Sequence, residues 1–258
     1  MRGLTFLVTG AAGGLGALVC RELAARGAVV IAHDRTEVQL ANLVPELGTS
    51  ARGVACDLAS LAAVAAFARS VGRVDVLVNN AGVGFGRDQL RREVSHDGFE
   101  LRFAVNYLAP FLLTYALLDR LQGIVQVSSA GQRALDFTDL NFERGYDGIV
   151  AYRRSKLAQV MLAFDIAAQQ PVPSNALHPG TFLATPMLVE SGITPLGTAK
   201  EGADAILYVI ARTLGGVSGE FFDQRVPARA EASAYDVDVR RRLRERTFEL
   251  LAPFWKPA

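Results

Sequence analysis

Several features are scarce in this chain, and each scarcity excludes something. The 258 residues include only two cysteines, Cys20 and Cys56, without metal-ligand spacing or a disulfide framework. That excludes a zinc module and a disulfide-stapled secreted scaffold, and it fits a reducing cytosol. Excess charge of either sign is also missing. With 27 basic and 26 acidic residues the formal net charge is +1, so no global field for nucleic acid or anionic lipid is expected. No apolar stretch is read as approaching the ~18 residues that a membrane helix requires. Leu4 to Val8, near the N-terminus, is too short and wrongly flanked for a signal peptide. Internal repeats and domain linkers are absent. The expectation is one cytoplasmic domain over residues 1–258, with no nucleic-acid or membrane partner. Half of the residues are apolar, and the chain is long enough to bury a substantial core.

What is present is an alternation of short apolar runs with helical patterns. Leu4 to Val8 reads as a buried parallel strand, and it feeds Thr9-Gly10-Ala11-Ala12-Gly13-Gly14-Leu15-Gly16 and a helix ended by Gly27. A glycine-rich turn between strand and helix lets backbone amides approach a pyrophosphate, although a tight turn alone would also use glycine. The next strand, Ala28 to Ala32, leads into His33-Asp34-Arg35. A carboxylate there can accept from both ribose hydroxyls and would repel a 2′-phosphate, so Asp34 argues for NAD. The neighbouring Arg35 argues for NADP, or is simply a solvated loop charge. Because the glycine turn holds no basic residue, NAD is favoured over NADP.

Arg52 to Asp57 reads as a third strand, whose Asp57 either receives an adenine amino group or caps the helix Leu61 to Ser70. Val74 to Val78 stops at Asn79-Asn80-Ala81-Gly82, residues that suit either a ligand-facing backbone or a plain turn. Phe99 to Leu121 reads as a helix kinked by Pro110, which cannot bond the Asn106 carbonyl. The kink either frees that carbonyl for a water or side chain or only helps packing. Ile124 to Val127 ends at Ser128-Ser129, and a longer connection with Phe137, Phe142 and Tyr146 follows. Val172 to Leu177 precedes His178-Pro179-Gly180-Thr181, where His178 is read as structural. Residues 182–198 read as a mobile flap over an apolar cavity. Ala199 to Thr213 and Asp236 to Leu251 read as helices, the latter an arginine-rich one facing solvent or a partner, and Gly219 to Asp223 as the last strand. The alternation predicts an α/β fold, a doubly wound parallel sheet of Rossmann type.

The chemistry concentrates in Tyr152-Arg153-Arg154-Ser155-Lys156, at the start of a helix read over Ala151 to Gln170. An offset of four puts Tyr152 and Lys156 on one face. A phenol titrates near ~10, and a neighbouring ammonium favours its phenolate, moving it toward a pH where it exchanges protons with an alcohol. A half-buried tyrosine beside a solvated lysine would show the same spacing.

Taken in order, these motifs resemble the single-domain form of the short-chain dehydrogenase/reductase family over nearly the whole chain. Thr9 to Gly16 matches its TGxxxGxG turn, Asn79 to Gly82 its NNAG, and Asn106, Ser129, Tyr152 and Lys156 its catalytic tetrad. Pro179-Gly180 matches its PG. The segment before Tyr152, with Asp139-Leu140-Asn141-Phe142, looks like the retinol dehydrogenase and carbonyl reductase branch. The resemblance implies hydride exchange between a nicotinamide cofactor and a carbonyl or secondary alcohol. It also implies cofactor contacts from Gly10, Ala12, Gly14, Leu15, Gly16, Asp34, Arg35, Asp57, Leu58, Asn80, Ala81, Gly82, Pro179 and Gly180, from Thr181 or Thr185, and from Tyr152 and Lys156. No metal site is implied. A homodimer or homotetramer is expected, with an interface on the apolar faces of Phe99 to Leu121 and Ala151 to Gln170. An apolar substrate is read from Phe137, Phe142, Phe182, Leu183, Met187 and Leu188. Two other classes fit parts of the pattern. Sugar-nucleotide epimerases share the tetrad but usually carry a second domain. A dinucleotide sensor without turnover would not need Ser129 and Tyr152 together.

Overall fold

The structure is a computed structural model that describes residues 1–190 and 194–256. Eight strands build one sheet: β1 (Thr5–Thr9), β2 (Val29–Asp34), β3 (Ala51–Ala55), β4 (Val76–Asn79), β5 (Gly123–Val127), β6 (Ser174–His178), β7 (Phe221–Asp223) and β8 (Val226–Ala228). Their order is β3-β2-β1-β4-β5-β6-β7-β8, parallel throughout except for the final β7–β8 pair. The chain winds outward from β1 to β3, then returns to lay β4 beside β1. Loops leaving β1 and β4 therefore diverge, and a crevice opens at the carboxyl ends of the strands. Strand β8 escapes a sequence reading because it is three residues long with Pro227 in the middle, a residue tolerated only at an edge. The third strand pairs over Ala51–Ala55 rather than to Asp57, whose carboxylate instead accepts the Ala59 N–H at 2.9 Å.

Among the described residues ten α-helices cover both faces. They are α1 (Gly14–Ala25), α2 (Glu37–Leu40), α3 (Leu43–Glu46), α4 (Leu61–Ser70), α5 (Leu101–Phe103), α6 (Ala109–Leu117), α7 (Gly148–Gln169), α8 (Pro186–Glu190), α9 (Ala199–Leu214) and α10 (Val237–Leu251). Alternation along the strands sends Leu7, Ile31, Leu77 and Ile124 toward α4, α6 and α7, and Phe6, Val8, Val30 and Val125 toward α1 and α9.

Two expected helices differ in ways that matter for the site. The one read over Phe99 to Leu121 begins at Leu101, where the Glu100 carboxylate accepts the Phe103 N–H at 2.8 Å. It is π-helical over Ala104–Leu108. Pro110 has no N–H for the Asn106 carbonyl, and the wider turn, with the Ala109 N–H on the Ala104 carbonyl, carries the chain past that gap. The expected kink is thus a π turn. This run, Leu101–Arg120, also corrects the reading of apolar length: it has 20 residues, and an 18-residue stretch of it with mean hydropathy 1.4 could span a membrane, yet 78% of that stretch is buried in the protein. Helix α7 begins three residues early, at Gly148, because Asp147 accepts the Ile149 and Val150 N–H groups at 2.8 and 3.0 Å. That cap fixes the start of the helix, whose second and third turns carry Tyr152 and Lys156.

The C-terminal helix α10 is solvated on one face, where Arg241, Arg242, Glu245, Arg246 and Glu249 are exposed, and packs its other face on the chain itself. Phe248 packs edge-on against Phe111 and Tyr115, with ring centroids 5.1 and 5.0 Å away. Tyr107 and Thr247 share a hydroxyl hydrogen bond of 2.9 Å, and Arg244 grips Asp165 on α7 at 2.7 and 2.8 Å. The face of α6 and α7 expected to meet a second copy is covered by the chain itself. Within the expected flap, α8 forms, Leu183 and Leu188 are buried, and Leu183 pairs with Gly197. The part of the flap at residues 191–193 lies outside the described residues.

Candidate active site

The crevice begins where β1 hands over to α1. Gly10 has φ +65°, and a Cβ there would meet the Ala81 Cα at 2.8 Å. A Cβ on Gly16 would stand 2.0 Å from the Gly10 carbonyl oxygen, so only glycine lets the helix start press onto the turn. The NNAG segment locks this arrangement. Asn80 Nδ2 donates to the Thr9 and Gly10 carbonyls at 2.9 and 3.1 Å, while Thr9 Oγ1 accepts the Asn80 and Ala81 N–H groups, each at 3.0 Å. Asn80 acts here as a brace for the turn, and Asn79 is buried, with its Nδ2 on Thr114 Oγ1 at 3.3 Å. No side chain caps α1 and no acid sits in its first turn, which leaves the positive end of the helix dipole toward the crevice.

Asp34 stands over the same turn. Its carboxylate accepts the Ala12 N–H at 2.8 Å and the Arg35 N–H at 2.9 Å, and the Arg35 side chain is exposed at the rim. Asp57 and Leu58 follow along the wall, Asp57 meeting His96 Nε2 at 3.1 Å. The whole space is a crevice of about 1760 Å³ that also takes in Gly10, Ala12, Gly14, Leu15, Ala81, Gly82, Ser129, Tyr152, Lys156, Pro179, Gly180, Thr181 and Thr185. Gly16 supports it from behind. An uncapped helix start, a turn that excludes every Cβ and a carboxylate at the end of β2 together fit a dinucleotide.

Ser129, Tyr152 and Lys156, three of the four residues matched to the tetrad, line the same crevice, and Asn106 is buried beside it. Ser129 follows β5, with its Oγ accepting the Gly131 N–H at 3.0 Å. Tyr152 is half-buried on α7, its ring held edge-on by Phe85 at 4.8 Å. Burial raises the phenol's pKa, and the Ser129 hydroxyl pulls the other way. Lys156 does not supply the expected lowering. Its Nζ lies 5.8 Å from the Tyr152 ring centroid and donates to the Val127 carbonyl at 2.9 Å and to Gln159 Oε1 at 2.8 Å. Burial alone brings Lys156 from 10.5 to about 7. The Asn106 side chain accepts the Val83 N–H at 2.8 Å and donates to Ser155 Oγ at 2.9 Å. Since Ser155 Oγ donates in turn to the Tyr152 carbonyl at 2.7 Å, Asn106 ties the NNAG loop to the tyrosine turn.

His178 ends β6 and shares a 3.0 Å hydrogen bond with Thr181 Oγ1, so it orders the Pro179-Gly180 bend as a structural residue would. Of the two candidate threonines, Thr181 is thus engaged, while Thr185 sits against Gly14, 3.4 Å from where a Cβ would be. Pro186 adjoins Gly13, and Met187 adjoins Gly82 and Gly84, so the flap bridges the crevice from one glycine segment to the other. Phe182, Leu183, Met187 and Leu188 line it as expected. Phe142 and Phe137 do not: the first packs on Tyr146 under Arg154, and the second lies under Arg242.

Three contributors were not legible beforehand. Phe85 follows a glycine with no periodic pattern. Gln159 falls on an apolar helix face, and only its offset of three from Lys156 could have flagged it. Arg102, fully buried, bonds the Gly84 carbonyl at 2.9 Å, Glu100 at 3.1 Å and the Tyr146 hydroxyl at 2.9 Å, and pairs with Glu93. Burial works against its charge, but Glu93 and Glu100 outweigh that and raise its pKa. It thereby pins the segment that carries Phe85.

Comparison with known proteins agrees with this geometry. The family model described as short chain dehydrogenase matches residues 5–194. Retinol dehydrogenase 13 of Mus musculus is 35% identical over 93% of this chain and 81% of its own length. Retinol dehydrogenase 14 of Homo sapiens is 35% identical over 94% and 84%. Among solved structures, an uncharacterised protein from Mycobacterium Paratuberculosis superposes with TM-score 0.79 at 30% identity, covering 97% of this chain and 94% of that one. For a 3-ketoacyl-(acyl-carrier-protein) reductase from Brucella melitensis complexed with NADH, the TM-score is 0.67 at 24% identity, covering 86% and 96%, a likeness of fold. The chain therefore belongs to the short-chain dehydrogenase/reductase family, on its retinol dehydrogenase branch, and is a nicotinamide-dependent oxidoreductase of alcohol and carbonyl groups.

Proposed function

We propose that Tyr152 is the general acid/base of this oxidoreductase, with Ser129, Lys156 and Asn106 in support, and that its substrate is a small, largely apolar alcohol or carbonyl compound. The observation that carries this reading is that Tyr152, Ser129 and Lys156 line the same crevice as the glycine turn, with the Ser129 hydroxyl on the Tyr152 phenol. When bound, the nicotinamide ring accepts or supplies the hydride. In the oxidative direction Tyr152 takes the hydroxyl proton as the carbon–oxygen double bond forms, and in the reductive direction it returns that proton. Ser129 donates to the substrate oxygen and stabilises charge developing there. Lys156 would bond the nicotinamide ribose with its remaining N–H, and Asn106 holds the tyrosine turn in register through Ser155. Flap residues Phe182, Leu183 and Met187 give the mouth an apolar lining.

NAD is the favoured cofactor. The Asp34 carboxylate, already facing the Ala12 amide, would meet a 2′-phosphate with like charge, although Arg35 at the rim is the feature that would favour NADP. Buried, unpaired Cys20 and Cys56 suit a reducing cytoplasm. Both readings meet one assay: ketones, aldehydes and secondary alcohols with NAD(H) or NADP(H) at equal concentration, followed at 340 nm. Tyr152→Phe should bind NADH as the parent does and lose at least ~100-fold in turnover. Retained turnover removes Tyr152 from the mechanism, and a strong NADP preference overturns the role given to Asp34. Tight NADH binding without consumption across the panel would favour a sensor.

A further inference from the structure

Helix α7 presents Leu157, Ala158, Val160, Met161 and Leu162 to the core, and among them sits Gln159, 0% exposed. A carboxamide there is anomalous. Its Nε2 has no hydrogen-bond partner among the described residues, and an unsatisfied buried donor is costlier than an apolar side chain of the same shape. What the carboxamide does make is one contact: Oε1 accepts from Lys156 Nζ at 2.8 Å. Lys156 is itself 4% exposed. Its second acceptor is the Val127 carbonyl at 2.9 Å, and the ammonium has three donors. The third has the crevice, because Nζ lies 3.4 Å from the point where a Cβ on Gly82 would be, on the crevice wall.

We propose that Gln159 is a positioning residue for Lys156: with the Val127 carbonyl it forms a two-point seat that aims the remaining N–H of the ammonium into the cofactor crevice. The proposal rests on the reading of Lys156 as part of the tetrad. A neutral acceptor at hydrogen-bond distance also favours the charged amine against burial. The Val127 carbonyl is the other such acceptor, so without Gln159 the ammonium would keep one. Besides its two acceptors, Nζ has the Tyr152 ring, 5.8 Å away at its centroid, and Asn106, which approaches the same point above Gly82, and no charged side chain contributes to the lysine's shift to about 7, whose one cause is burial. Gln159 therefore helps to set the pH range in which the lysine carries its proton.

The sequence contains three lysines, Lys156, Lys200 and Lys256, so protein labelled with 13C at lysine Cε gives three signals to titrate. The parent Lys156 signal should titrate at about 7. Gln159→Leu should lower that midpoint by about one pH unit or more, a roughly tenfold loss of proton affinity, and Gln159→Glu should raise it by at least as much. Gln159→Met repeats the test with an unbranched side chain should leucine fail to fold. Midpoints in Gln159→Leu or Gln159→Met equal to the parent's overturn the proposal. The pH dependence of kcat is then read on the same variants. A limb that moves with the lysine supports both the seat and the mechanism. A lysine midpoint that moves without any change in the kcat profile supports the seat and refutes the catalytic role of Lys156.

Discussion

Removing the buried amine by Lys156→Met should change how stability depends on pH, in a direction that follows from the burial. In the folded chain Lys156 titrates at about 7, against an ordinary 10.5. Between those values the unfolded chain holds the proton and the folded chain does not. Stability must therefore rise with pH across that window, and the cost of burying the charge is fully felt below about 7. For one group with these two values, the gain from pH 6 to pH 9 is roughly 2–3 kcal/mol, from the difference in proton binding between the two states. In a chain of this size that corresponds to a shift in Tm of roughly 5–10 °C. Other titrating groups, including the buried Cys20 and Cys56, are common to both proteins and cancel in the comparison. The assay is thermal or urea unfolding of parent and Lys156→Met at four or five pH values, and the quantity read is the difference between the two curves. That difference should shift in favour of the parent as pH rises from 6 to 9. Curves that stay parallel would mean that the ammonium is not destabilised by its surroundings, and the account of Lys156 as a desolvated amine would fall.

Two further outcomes test the surroundings of the site. Arg102→Leu leaves Glu100 buried without its cation; both side chains are 1% exposed, so the loss should be about 3–5 kcal/mol, and kcat/KM should fall as Phe85 loosens against Tyr152. A Tm within 2 °C or so of the parent would show that Arg102 is not holding that segment. For the C-terminal helix, light scattering of the full chain should give a monomer, while a chain ending before Val237 should self-associate through the uncovered Phe111 and Tyr115. A stable dimer of the full chain would show that another surface serves as interface.

The sequence by itself determined most of the sheet, the glycine turn and the helix that carries Tyr152 and Lys156. Each rests on a local rule: a short apolar run makes a strand, φ above zero selects glycine at Gly10, and an offset of four sets Tyr152 and Lys156 on one face of α7. Such rules act within a few residues, so they can be read along the chain. The tertiary structure alone decided what each group touches. Asn80 braces the glycine turn, Lys156 is seated on Val127 and Gln159, and α10 packs on α6 and α7, where a partner was expected. Gln159 and Arg102 lie in runs of ordinary helical pattern, and their meaning comes from neighbours brought in by packing. Pairing, desolvation and the closing of an apolar face depend on which segments meet in space, and that is fixed by the order of the strands in the sheet.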